Sequence, residues 1–230
     1  SLFFFFFLMY PPQWKTWEDV LADARKMVAY NEDGSIKISG LHYTNHDQLY
    51  TYFLAGILEQ GGHYFAEDGK HFNFNSPEAI AVIQKMTEID KVTDPIIFTA
   101  ESNWVGSSFA EGSSAIAVFS AWYIGEARQT YPSLNFDYVA LPPFIGLDHA
   151  FASVGGWGKV VSKNTQHPDL AWKLAAFLSA DETNALDFAK ATATIPAYKS
   201  VATNPELSTQ IPGLATVLPI LEKGIYQGDM

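Results

Sequence analysis

Segments with helical periodicity alternate along this chain with short segments of strand character, and this alternation is the strongest constraint on its fold. Apolar residues recur at helical spacing from Trp17 to Val28. Ser76 followed by Pro77 is a typical helix start, because serine caps a first turn and proline fits the first helical position. Residues 35–41 alternate as a strand does. This order of elements predicts an α/β fold in which helices cover a sheet.

The remaining pattern predicts more elements of both kinds. Further helices are predicted near residues 48–60, 104–111, 123–131, 168–178 and 181–191, and further strands near 115–120, 136–141 and 151–161. Asp68-Gly69 is a hairpin-type turn. Two helices are expected to bury apolar faces, one through Ile80, Ile83, Met86 and Ile89, the other through Leu170, Trp172, Leu174, Ala175, Phe177 and Leu178. No stretch has the roughly 20 apolar residues that a membrane-spanning helix needs.

The composition limits the partners of the chain. Its 230 residues include 17 Phe, 11 Tyr and 6 Trp, a surplus that favours ligands with apolar faces. The net charge is −11, and Arg25 and Arg128 are the two arginines, which argues against nucleic acid and against a strongly anionic ligand. There is no cysteine, so disulfides and thiolate metal sites are excluded.

Five stretches of the sequence share their order with a known family. They are residues 11–12 with 16–19, residues 74–79, residues 109–116 with Trp122 behind them, residues 155–158 with 161–164, and residues 167–173 with 195–197. In this order they resemble the family 1 extracellular solute-binding proteins of ABC importers, the group similar to maltose-binding protein. Each stretch is weak by itself, so the resemblance depends on their order along the chain.

The resemblance implies a periplasmic-binding-protein-like two-lobe fold of type II. Residues 11–153 are expected to form most of the C-terminal lobe, residues 157–195 to return to the N-terminal lobe, and residues 196–230 to run back towards the C-terminal lobe. The family has a hinge segment where this chain has phenylalanine at residues 3–7. The family also continues beyond both ends of this sequence, so the chain is expected to be truncated at both ends.

The resemblance also implies a function. It implies a monomer that captures a neutral mono- or oligosaccharide between two lobes and delivers it to the permease subunits of an ABC importer. Neither catalysis nor a cofactor is implied. The location implied is either periplasmic or extracellular on the cell surface, in the second case with a lipid anchor on a cysteine upstream of this chain. Three alternatives stay open: another small solute such as a glycerophosphodiester or polyol, a polysaccharide-active enzyme, and a sugar sensor.

A sugar needs aromatic rings for its C–H faces and hydrogen-bonding groups for its hydroxyls. Trp122 is the first candidate, because the resembling family often has a sugar-stacking Trp at this place. Trp157 follows Gly155 and Gly156, where missing side chains let a ligand reach the backbone. The other candidates are Tyr43, Asn45, Asp47 and Tyr50 in or beside one loop, and the aromatic residues Trp104 and Tyr123. For each of them, core packing or helix capping is the alternative.

The same sequence argues against a metal site, a glycoside-hydrolysing site and a nucleotide-binding loop. His42 and His46 beside Asp47 lie at a strand-to-loop transition with no cysteine nearby, so no metal site is expected. The 25 acidic residues form no recognisable pair for glycoside hydrolysis. Residues 155–158 have neither the Walker lysine nor dinucleotide-fingerprint spacing.

Overall fold

The computed structural model describes residues 12–42, 49–94, 105–146, 148, 151–152, 158–211, 213–221 and 225–226. Up to residue 130 these residues form helix α1 (Trp17–Met27), strands β1 (Ala29–Tyr30) and β2 (Ile36–His42), helices α2 (Leu49–Glu59), α3 (Pro77–Ile89) and α4 (Val105–Ala110), strand β3 (Ser114–Ala117) and helix α5 (Tyr123–Thr130). Beyond it lie β4 (Phe151–Ala152), α6 (Pro168–Ser179), α7 (Glu182–Thr192), α8 (Lys199–Ala202), α9 (Pro205–Gln210), α10 (Leu214–Leu221) and β5 (Ile225–Tyr226). The expected mixture of helices and strands is confirmed.

Strand β2 is the centre of a three-stranded sheet. It pairs antiparallel with β1 and parallel with β3, with Leu41 opposite Ile116. Parallel strands need a crossover connection, and here the crossover carries α2, α3 and α4. Strands β4 and β5 form a second, parallel pair.

Helix α1 is fixed at its start and along its inner face. Thr16 and Asp19 form a reciprocal capping box, in which the Thr16 backbone N–H donates to Asp19 Oδ2 at 2.8 Å. The apolar residues of its inner face, Trp17, Val20, Leu21, Ala24 and Met27, are all buried. Gly40 of β2 lies so close to this helix that a Cβ there would be 2.0 Å from the Ala24 carbonyl oxygen. The helix therefore packs directly on the sheet backbone.

The buried apolar residues form two clusters. The first includes Leu21, Leu41 and Ile57, and joins α1, α2 and α3 to the sheet. The second includes Ile124 and Leu207, and joins α5 to α7, α9 and α10. Each cluster gives its surrounding helices one common interior, and residues 118–122 connect the two regions.

The helix boundaries predicted from sequence agree closely with the structure, but two predicted apolar faces are wrong, the first of them on α3. Ile80 and Ile83 are 47% and 50% exposed, while Ala79, Val82 and Ile89 are buried. The reason is Gly56 of α2, whose missing side chain leaves room for Val82: a Cβ on Gly56 would lie 2.6 Å from a Val82 methyl group. This contact rotates α3 away from the orientation that its isoleucines indicate.

The predicted burial of α6 is also wrong among the described residues. None of its residues is buried, and Trp172 is 60% exposed. The strand predicted at 136–141 is absent from the described structure, where the Ala140 N–H donates to Thr216 Oγ1 at 3.2 Å instead of to a neighbouring strand. The strand predicted at 151–161 is seen at its first two residues; residues 158–161 are irregular, and 153–157 lie outside the described residues. The predicted hairpin is confirmed by a bridge between Phe65 and Phe72.

We expect Gly40→Ala to destabilise the protein. An added methyl group would overlap the Ala24 carbonyl oxygen and force α1 away from β2, at a cost of about 2 kcal/mol or more. Urea unfolding followed by circular dichroism measures this change. Gly158→Ala is the matched control, because a Cβ there meets nothing within 4 Å, so its effect stays within about 1 kcal/mol. Equal midpoints for the two variants would contradict the close packing of α1 on β2.

Candidate functional site

A cleft with a volume of about 1550 Å³ receives side chains from both core regions. Small-molecule sites typically have about 300–1,000 Å³, so this cleft has room for an extended ligand. Trp14, Tyr52 and Phe144 border it from the first region, and Phe136, Phe188 and Ile195 border it from the region of α5 to α10. Trp122 borders the same cleft.

Trp122 lies at the junction that brings the two regions together. It is the residue before α5, and its side chain is half-buried. Helix α5 is held against α7 by a close approach at Gly125, where a Cβ would lie 2.7 Å from the Thr192 carbonyl oxygen. Because Trp122 immediately precedes the first turn of α5, this contact positions the backbone from which its side chain reaches the cleft.

Tyr123 is part of the aromatic support beneath Trp122. Its ring is 2% exposed and stacks on Phe119 with a centroid distance of 3.9 Å and an interplanar angle of 8°. Burial raises the pKa of Tyr123 to about 12, so its hydroxyl stays protonated. The rings of Phe109 and Phe136 pack against the same ring, each with a centroid distance of about 6.4 Å. The predicted ligand contact of Tyr123 stays a prediction, and its packing indicates a supporting role.

The other predicted site residues are placed as follows. Tyr50 is in the first turn of α2 and is 48% exposed, while Tyr52 of the same helix borders the cleft. Seven candidates lie outside the described residues: Tyr43, Asn45, Asp47, Trp104, Gly155, Gly156 and Trp157. Their roles stay predictions.

Most residues of the cleft lining were missed from sequence, among them Trp14, Tyr52 and Phe144 of the first region. Trp14 could have been noticed, because it stands just before the cap of α1, outside the helical periodicity that explains Trp17. Tyr52 and Phe144 carry no such signal. They approach the cleft through contacts between distant segments, with ring centroids 5.8 Å apart.

The cleft has few charges for its size. In the described lining the charged residues are Glu59, Asp137 and Lys159. The Glu59 carboxylate accepts a hydrogen bond from the Ile145 backbone N–H at 3.0 Å, which fixes the position of the carboxylate. Neutral hydrogen-bonding groups are also present, among them Ser120, Asn135, Thr192 and Thr194. This lining suits a neutral ligand that carries hydroxyl groups.

His42 ends strand β2, immediately before the predicted ligand loop at residues 43–48. Its side chain is fully buried, and within the described part of the chain neither ring nitrogen has a hydrogen-bond partner. Burial lowers the pKa of His42 from 6.5 to about 4, so the imidazole is neutral at pH 7. Across the described ranges, no group of three His, Asp or Glu residues could hold a metal ion.

The chain is similar in structure to several sugar- and polyol-binding transport proteins. It matches the maltose-bound MalE3 of T. maritima (TM-score 0.76, 22% identity, 100% of this chain and 58% of that one). It also matches an ABC transporter solute-binding protein from Thermotoga lettingae bound to alpha-D-tagatose (TM-score 0.77, 17% identity, 98% and 57%). A third match is the ribitol complex of an ABC transporter solute-binding protein from Agrobacterium radiobacter (TM-score 0.71, 20% identity, 97% and 56%).

These matches define the class of fold as type II periplasmic-binding-protein-like, of which the chain represents a part, since it spans 56–58% of the length of those proteins. A family model for bacterial extracellular solute-binding proteins matches residues 9–216, and the chain belongs to this family. The resemblance inferred from the sequence motifs is thereby confirmed. No helix among the described residues is both long enough and apolar enough to cross a membrane.

We expect the free energy of unfolding to fall as the pH drops from 6.5 to 4, in part because of His42. The imidazole has a folded pKa of about 4 and an ordinary value of 6.5, so between these values the unfolded chain binds the extra proton. The slope that this residue adds is up to about 1.4 kcal/mol per pH unit. Urea unfolding at pH 7, 5.5 and 4.5 should show a shallower decline for His42→Leu than for the wild type. Parallel declines would mean that His42 is already solvated in the folded protein.

Proposed function

We propose that this protein is the substrate-binding component of an ABC importer and that its ligand is a neutral mono- or oligosaccharide. The observation that carries the proposal is Trp122, half-buried at the edge of a wide cleft lined by aromatic rings and few charges. Family membership and the fold shared with proteins bound to maltose and tagatose support it.

The chemistry of the cleft fits the two kinds of surface that a sugar presents. Its C–H faces would stack on the indole of Trp122, which Tyr123 and Phe119 hold from behind. Its hydroxyls would be bound by polar groups of the lining and, as predicted from sequence, by Asn45, Asp47 and the amides near Gly155 and Gly156. Selectivity would come from these groups, since a buried polar group that the wrong ligand leaves unpaired costs about 1–3 kcal/mol.

Such a protein acts through a change of conformation and not through catalysis. Closure of two lobes around the ligand is a hinge motion known in periplasmic binding proteins. The closed form would be presented to the permease subunits, and no bond of the ligand would be broken. In this proposal the protein acts as a monomer outside the cytoplasmic membrane, in the periplasm or tethered to the cell surface by a lipid on an upstream cysteine.

A polyol is the second candidate ligand, and one observation favours it. The fold is shared with a protein bound to ribitol, an open-chain polyol without a sugar ring. A polyol has no rigid C–H face, so it would depend less on Trp122 and more on hydrogen bonds. The two ligand classes therefore differ in their sensitivity to loss of the indole ring.

We also propose a two-lobe arrangement in which helix α6 faces an N-terminal lobe. The exact lobe boundaries expected from sequence, 11–153, 157–195 and 196–230, stay a prediction, because α5 and α7 share one buried cluster on either side of the boundary near residue 155. The exposed apolar residues of α6 support this: Leu170, Trp172, Leu174, Phe177 and Leu178 are 49–63% exposed. Four of them, Leu170, Leu174, Phe177 and Leu178, lie on one face at helical spacing, and such an apolar face on a surface helix normally packs against another element. We propose that an N-terminal lobe covers it.

Titration with sugars tests the proposed ligand class. The ligands are glucose, maltose, maltotriose, mannose, mannobiose, tagatose and ribitol. We expect a saturable change in tryptophan fluorescence with one class of these ligands. Trp122→Ala should weaken sugar binding at least about tenfold, because stacking and burial of the indole face are lost. Trp172→Phe is the matched control, since it removes an indole that does not border the cleft in the described structure.

Each outcome of the titration has a distinct meaning. Ribitol binding that Trp122→Ala leaves unchanged, with no response to sugars, would replace the sugar by a polyol. A response to glycerol 3-phosphate alone would replace it by a phosphorylated solute. Release of reducing ends from a polysaccharide would overturn the non-enzymatic proposal.

The covering of α6 is tested by comparing two lengths of chain. Phe177→Ala should change the stability of the present 230 residues by no more than about 0.5 kcal/mol, because the ring is 58% exposed. In a longer chain that contains an N-terminal lobe, the same change should cost about 3 kcal/mol, as for a buried phenylalanine. Tyr30→Ala is the control, since Tyr30 is 60% exposed on β1 and should have a small effect in both chains. A small effect of Phe177→Ala in the longer chain would contradict the two-lobe proposal.

A further inference from the structure

Trp14 is a second tryptophan at the cleft, and it comes from a different part of the fold from Trp122. It lies just before helix α1, is partly buried, and packs against the first core cluster. The same side chain borders the cleft. One part of the ring is thus anchored in the protein and another part is available to a ligand.

A hydrogen bond fixes the orientation of this ring. The Trp14 indole N–H donates to Asp23 Oδ2 at 2.9 Å, and the other oxygen of the carboxylate accepts from Lys26 Nζ at 3.0 Å. Asp23 lies on α1, whose inner face is packed on the sheet, so the acceptor is held by a rigid element. An aromatic ring that is already oriented loses little conformational entropy when a ligand stacks on it.

Two further aromatic residues from the first core region border the same cleft as Trp14. Tyr52 and Phe144 both border the cleft and surround Trp17, with centroid distances of 6.5 Å and 5.0 Å from its ring. These residues belong to the first core region or pack against it. The aromatic support of Trp122 is a different set, formed by Phe119, Tyr123, Phe109 and Phe136. The cleft therefore has two aromatic groups, each built on its own part of the fold.

We infer that Trp14 is a second sugar-stacking residue, at a subsite separate from that of Trp122, and that the cleft takes an oligosaccharide. Asp23 is the positioning residue of this subsite, acting through the indole N–H. The cleft volume of about 1550 Å³ accommodates an extended ligand that reaches both groups. This inference rests on the proposed sugar-binding function and narrows it from saccharides in general to those with two or more rings.

Dependence on ligand length is the decisive measurement. In the longer chain that contains an N-terminal lobe, wild type, Trp14→Ala and Trp122→Ala are titrated calorimetrically with two series, glucose to maltotetraose and mannose to mannotriose. We expect Trp122→Ala to weaken every sugar that binds. Trp14→Ala should weaken the tri- and tetrasaccharides about tenfold, while any binding of the monosaccharide changes less than about twofold. Trp14→Phe keeps an aromatic face but loses the indole N–H, so it should recover only part of the loss and bind the trisaccharide about as weakly as Asp23→Ala.

The positioning role is tested with a matched pair on helix α1. Asp23→Ala removes the acceptor of the indole N–H and should lower trisaccharide affinity about threefold to tenfold, with monosaccharide affinity unchanged. Lys26→Ala removes the ion pair on the same carboxylate but keeps the indole hydrogen bond, and should bind like wild type. Thermal unfolding of each variant shows whether it is folded at the temperature of titration.

The outcomes separate this inference from the proposed function. If the wild type binds none of these sugars, the sugar-binding function fails and the inference fails with it. If sugars bind but Trp14→Ala affects all lengths equally, or none, the function stands and the second subsite is wrong. A wild type that binds a monosaccharide as tightly as the trisaccharide would also overturn the inference.

Discussion

The close approach of helix α1 to strand β2 is the contact on which the rest of the structure depends. It requires glycine at position 40, because the Ala24 carbonyl oxygen occupies the space of a side chain. With α1 held at this distance, its buried residues join those of α2, α3 and the sheet in one cluster. The same contact fixes the position of the residues just before α1 and at the end of β2. Trp14 stands at the start of α1 and His42 at the end of β2, so the aromatic surface at the cleft and the beginning of the predicted ligand loop are both set by one backbone approach.

A second close approach joins this unit to the later part of the chain. At Gly125, α5 meets the end of α7 at a distance that admits no Cβ. Trp122 lies one turn earlier, with its ring at 80° to Tyr123, and Tyr123 is itself stacked on Phe119. The tryptophan is therefore held by backbone packing at one side and by a stack of rings at the other. Such pre-organisation matters for binding a sugar, since weak stacking contacts are useful only if little entropy is lost in forming them.

The sequence was a good guide wherever local chemistry decides the structure, and a poor one wherever a distant contact decides it. The caps at Thr16 and Ser76 set helix starts through bonds within the first turn, and both are seen as predicted. The orientation of α3 is decided by the contact of its Val82 with Gly56, which lies on a different helix, α2. The pattern of isoleucines within α3 therefore pointed to the wrong face. Residues 136–141 alternate like a strand, but the hydroxyl of Thr216 takes the hydrogen bond that a neighbouring strand would need. Of the candidate site, Trp122 was found through a family motif, whereas Tyr52 and Phe144 reach the cleft through packing that no local pattern reveals.

The failed prediction for α6 and the confirmed prediction for α1 concern similar patterns with opposite outcomes. Both helices carry apolar residues at helical spacing, but α1 has a sheet beside it and α6 has no comparable partner among the described residues. Exposed Trp, Phe and Leu side chains on one helix are costly for a protein in water. The cleft lies between such a helix region and the well-packed first core, with Leu178 of α6 in its lining. The element that covers α6 would therefore also close the cleft on that side. In the two-lobe proposal, burial of α6 and completion of the ligand site are consequences of the same packing.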